Sequence, residues 1–120
     1  MSTLGKLDFG FPYVVFNRTT GGSGDSFSLP PESGRYLKLL LQAIGRIGAA
    51  PGTITALVGN LEVSLDAGVT WNVLVTGITL TTLAVITDVT GCGNAAWFRF
   101  TSTTFTLGTA TSIVIYANAG

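Results

Sequence analysis

The stretch Ser64-Leu65-Asp66-Ala67-Gly68-Val69-Thr70-Trp71 constrains this chain more than any other. It reads Ser-x-Asp-x-Gly-x-Thr-Trp and lies between two runs of β-type residues. Asp66 can accept hydrogen bonds from turn amides, and Gly68 can take the positive φ that residues with a Cβ resist. Trp71 opens the return strand with a ring large enough to seal the base of a hairpin. Ser64, Asp66, Gly68 and Trp71 are therefore expected to form a structural hairpin, and the hairpin announces an all-β domain.

The flanking sequence supports that class. Residues 53–57 lead into 61–65, with Leu61, Val63 and Leu65 on one face and Glu62 and Ser64 on the other. Trp71, Val73 and Val75 repeat the alternation after the turn, and residues 78–83 and 84–86 continue it with many threonines. A polar loop over 88–94 precedes strands expected at 96–101 and 112–117. Ala96, Phe98 and Phe100 are expected to face the core, with Trp97, Arg99 and Thr101 outside. Ile113, Ile115 and Ala117 likewise point inward, leaving Val114 and Tyr116 outside. Short strands at this spacing, with Gly and Thr in the turns, predict an antiparallel β-sandwich or jelly roll over residues 32–120.

One segment supports two readings. Tyr36, Leu40, Ile44 and Ile47 fit a helical stripe, with Ser33 as a cap. Leu37, Leu39 and Leu41 alternate instead as in a strand, and Gly45 and Gly48 would each weaken a helix by about 1 kcal/mol relative to Ala. The strand is favoured over 36–42, followed by a Gly-rich loop through Pro51-Gly52.

Residues 1–31 differ from the rest. Phe9, Phe11, Tyr13 and Val15 alternate with Gly10, Pro12 and Val14, and a polar Gly-rich stretch follows at 19–26. This predicts an extended N-terminal arm with aromatic residues along one edge, joined to the body by a hinge. It is either a first strand with its loop or an arm that lies on a neighbouring subunit.

Composition limits the function classes. Charged residues make up 10% of the 120, hydrophobic residues 47%, and the formal net charge is zero. An ordinary soluble domain carries about 25% charged residues, and so few charges favour self-association. No run of about 20 apolar residues is present to form a membrane-spanning helix, and no secretory signal pattern opens the chain. The six basic residues are scattered, which argues against nucleic-acid binding. There is no His and a single cysteine, Cys92, so His-dependent nucleophile systems, an intrachain disulfide and a conventional zinc site are not expected. The six carboxylates show no spacing that suggests a glycosidase pair or a calcium loop. The chain is not expected to be an enzyme, and no cofactor or metal is implied.

The Ser64–Trp71 pattern resembles the Asp-box hairpin of sialidases and many other β proteins, where it is mainly a folding device. Taken with the leucine-rich strand from Tyr36, the strand Trp97-Phe98-Arg99-Phe100 and the closing strand at 112–116, the chain is similar to small β-sandwich proteins of tailed bacteriophage virions. That resemblance implies a virion structural role: a capsid decoration (cement) protein bound to the capsid exterior as a homo-oligomer, often a trimer, with itself and the major capsid protein as partners. The interface residues expected are Phe9, Phe11, Tyr13 and Val15 of the arm and Tyr36, Trp97, Val114 and Tyr116 of the body. The alternative is a carbohydrate-binding module, or a tail or head-fibre adhesin subunit, in which Trp71, Trp97 or Tyr116 offers a platform to a glycan.

Overall fold

A computed structural model describes residues 4–6, 13–28, 39–80, 84–86 and 97–119 of the chain. These residues form ten strands and no helix: β1 (Leu4–Lys6), β2 (Tyr13–Arg18), β3 (Ser26–Ser28), β4 (Leu39–Ile47), β5 (Ala50–Gly52), β6 (Ile54–Ser64), β7 (Asn72–Thr79), β8 (Ala84–Ile86), β9 (Trp97–Leu107) and β10 (Ser112–Ala119). Two sheets pack face to face as a β-sandwich. The first has the order β1-β3-β9-β6-β7. The second has the order β2-β10-β4-β5, with β8 paired to β4 beside Leu39–Leu41. Pairing is antiparallel throughout except between β1 and β3.

Inward residues from both sheets build one core. Phe27, Leu57, Leu61, Phe98 and Phe100 come from the first sheet, and Val15, Phe16, Leu39, Leu41, Ile113, Ile115 and Ala117 from the second. The Phe16 ring meets Phe100 edge-on at 5.6 Å between centroids and Phe105 at 6.2 Å, which ties the two sheets together. The alternation expected in β9 and β10 places Phe98, Phe100, Ile113, Ile115 and Ala117 inside, all 1% exposed or less.

The described part of the ambiguous segment is a strand, since β4 pairs with β10 from Leu39 to Arg46. It also runs on through Gly45, and the expected Gly-rich loop is a tight hairpin into β5. Gly45 sits opposite Gly52 there, and a Cβ on Gly45 would press on Ala110 at 2.9 Å. The glycines that weaken a helix are here the residues that let two backbones approach closely.

Three further expectations are corrected. Residues 54–64 form one continuous strand, not two. Leu65 does not share the inward face of Leu61 and Val63: it lies past the end of β6, in the turn, and is 77% exposed. The alternation of Val73 with Val75 is broken because Leu61 opposes Val75 while Glu62 opposes Val73. One step on β6 thus spans two on β7, a bulge that turns Leu74 and Val75 toward the core and leaves Val73 48% exposed.

The described part of residues 1–31 is built into the sandwich. β2 is an edge of the second sheet, and β3 lies between β1 and β9 in the first. Arg18 fastens the loop between them, donating to the carbonyls of Thr20, Gly21 and Ser23 at 3.0–3.2 Å.

Candidate functional site

The β6–β7 turn is closed by side chains more than by backbone. Ser64, 1% exposed, donates its hydroxyl to Asp66 Oδ1 at 2.7 Å and accepts from the Gly68 amide at 2.9 Å. Asp66 Oδ1 also accepts from the Thr70 amide at 2.8 Å. Ala67 and Gly68 both have positive φ, 60° and 89°. The Ser64 hydroxyl and then the Thr70 amide hold the Asp66 carboxyl at about 2, below its ordinary value of 3.8. The Trp71 indole N–H donates to the Gly68 carbonyl at 3.0 Å and locks the ring against the turn.

That ring supports the next layer. The Arg99 guanidinium lies over Trp71 at 4.4 Å from the ring centroid. Arg99 Nε donates to Glu62 Oε1 at 2.6 Å, and the Thr101 hydroxyl donates to the same oxygen at 2.6 Å. Thr101 is joined in turn to Ser23 by a 3.0 Å hydroxyl–hydroxyl hydrogen bond. The cause is register: Glu62 on β6 sits directly opposite Arg99 on β9, and their outward side chains meet across the ladder. The outer face of the first sheet thus carries a polar and aromatic cluster, Trp71–Arg99–Glu62–Thr101, with Trp97 two residues before Arg99. Beyond the turn, Val63, Leu65, Asp66, Thr70 and Asn72 line an open depression of about 310 Å³.

The residues expected at an interface are dispersed. Tyr13 is 36% exposed on β2, whereas Val15 is wholly buried and belongs to the core. The reason is a bulge: Ile115 opposes Phe16 and Tyr116 opposes Val14, so Val15 is extra and turns inward beside Phe16. Val114 and Tyr116 lie on the outer face of the second sheet by register, opposite Ile44 and Gln42, but Val114 is only 8% exposed. Trp97 is half-buried on the first sheet, across the sandwich from Tyr116. Phe9, Phe11 and Tyr36 lie outside the described residues, as does Cys92.

The Glu62–Arg99 pair was not singled out from sequence. The outward positions of both residues follow from alternation, but their meeting depends on a register 37 residues apart. Among the described residues no group of three or more His, Cys, Asp or Glu could hold a metal ion. No protein-family model, no curated protein and no solved structure matches the chain.

Proposed function

We propose that the chain is a structural protein of a tailed-bacteriophage virion, which decorates the capsid exterior as a homo-oligomer, a trimer in the simplest form, and bridges neighbouring capsid subunits. The observation that carries this reading is an apolar hairpin tip on a chain poor in charge. Leu65 and Val69 are 77% and 81% exposed, in a sequence with 10% charged residues. Val73, Ile47, Val14 and Tyr13 add exposed apolar surface. Full burial of one such side chain at a contact contributes about 1.5–3 kcal/mol. A few repeated contacts per copy are enough for a lattice-bound protein, whose binding is multivalent. The mechanism is mechanical, and the work is done by burial between subunits. The resemblance of the hairpin, the aromatic-Arg strand and the closing strand to small virion β-sandwiches supports the same reading.

Cryo-electron microscopy of particles from cells producing the chain tests it. Density for the sandwich at regular positions on the head exterior is the expected result. Density at the tail or on head fibres would favour the adhesin assignment, and particles free of the protein would overturn a virion role.

A further inference from the structure

We infer that the outer face of the first sheet, between Trp97 and the Arg99–Glu62 pair, is a binding site for a neutral sugar. The ion pair leaves several of its polar atoms unused. Arg99 contacts Glu62 through Nε alone, and neither Nη atom makes a hydrogen bond with a described residue. Glu62 accepts both of its hydrogen bonds on Oε1, so Oε2 has none among the described residues. The two side chains remain 24% and 16% exposed. A donor fork and a free acceptor therefore stand side by side on one surface.

Both groups are held in place before any ligand arrives. The Trp71 ring stacks on the guanidinium, Gly68 anchors that ring, and Thr101 shares the carboxylate. A site whose polar groups are already fixed loses little conformational freedom on binding. Because the pair is neutral overall, it selects neither anions nor cations. A vicinal diol suits it: one hydroxyl accepts from Arg99 Nη while its neighbour donates to Glu62 Oε2.

Trp97 supplies the apolar partner. It shares the outward face with Arg99 at the i, i+2 spacing of a strand, about 7 Å away, which is the scale of one pyranose ring. Its cross-strand neighbours are Ser28 and Ser64, both short, so among the described residues no larger side chain lies directly opposite the indole across the ladder. An aromatic face next to a few fixed polar groups is the usual chemistry of a small-ligand site. Trp71 is a positioning residue here, since its N–H and one face are already engaged.

The test uses the whole chain on an array of neutral and acidic oligosaccharides, followed by NMR titration with the neutral methyl glycosides of the sugars retained. The sequence has two tryptophans, so two indole N–H signals are read. The expected result is retention of neutral glycans, a shift of the Trp97 signal larger than that of Trp71, and about tenfold weaker binding for Trp97→Ala. Glu62→Gln, with unchanged melting temperature, is expected to weaken binding as well. Retention of acidic glycans alone, an unmoved Trp97 signal, or a folded Trp97→Ala protein that binds as well as the parent would each overturn the site. The inference does not rest on the virion reading: a protein seated on heads without sugar binding loses this site only, and a sugar binder absent from particles loses the other.

Discussion

At the scale of single residues, Ser64 and Asp66 govern the hairpin. Ser64→Ala removes a buried hydroxyl and leaves the Gly68 amide without its acceptor, a loss of about 1–3 kcal/mol in chemical denaturation. The same change is expected to move the Asp66 titration back toward 3.8, because the Ser64 hydroxyl is the largest cause of its depression. In the parent the carboxyl titrates near 2 folded and near 3.8 unfolded. A depressed acid stabilises the folded form fully above the unfolded value, and the contribution fades as pH falls from about 4 to 2. The group is fully exposed, so the effect is read locally: the Thr70 amide and the Asp66 carboxyl resonances should co-titrate with a midpoint near 2. A midpoint at 3.8 would show that the turn does not hold the carboxylate. This hairpin was legible because its donors and acceptors lie within four residues of each other. Val15 was not, because a bulge set by its pairing with β10 reverses the face that strict alternation assigns.

At the scale of elements, the pairing of β6 with β9 organises the first sheet. Both strands have eleven residues, and they pair from Ile54↔Leu107 to Ser64↔Trp97. Gly59 sits where they kink. A Cβ there would collide with the Phe100 ring and the Thr101 carbonyl. Gly59→Ala is therefore expected to cost about 1–3 kcal/mol by overpacking, the reverse of the usual gain when a strand glycine is replaced. Phe100→Ala is expected to cost about 3–5 kcal/mol, since its fully buried ring meets Phe16 from the opposite sheet. Urea titration with unchanged m-values would check both, and a Gly59→Ala protein as stable as the parent would refute the close packing. Strand identity was readable from β-branched and aromatic alternation in β9 and β10. The continuity of β6 was not, because Val58-Gly59-Asn60 looks like a turn until β9 supplies ladder partners for all three residues. The Gly-rich run after β4 hid a hairpin for the same reason.

At the scale of the whole molecule, the sheet edges and the exposed side chains favour different modes of association. The edge strands β7, β5, β2 and β1 are blunted against adding strands. β7 departs twice from regular register with β6 and carries Gly77 at φ 67°, β5 contains Pro51, β2 is bulged at Val15, and β1 has three residues. No charged residue lies between Asp66 and Asp88, so along β7 the bulges rather than charges discourage edge pairing. In the proposed oligomer, contact with other subunits then falls to side chains, and Leu65 and Val69 at the hairpin tip are the most exposed large apolar ones among the described residues. Leu65 could not be picked out in advance, because the alternation pattern assigns it to the core. Replacing both by Lys should leave the melting temperature nearly unchanged, since exposed positions away from packed features shift stability by about 0.5 kcal/mol or less. The same double variant should sediment as a smaller species than the parent. Thr106→Lys, an exposed change on β9, serves as the control and should sediment like the parent. If the double variant keeps the parent's sedimentation coefficient across a hundredfold dilution, the hairpin tip does not drive self-association. The contacts of the proposed oligomer would then have to lie elsewhere, with the outer face of the second sheet around Val14, Ile44 and Tyr116 the next surface to alter.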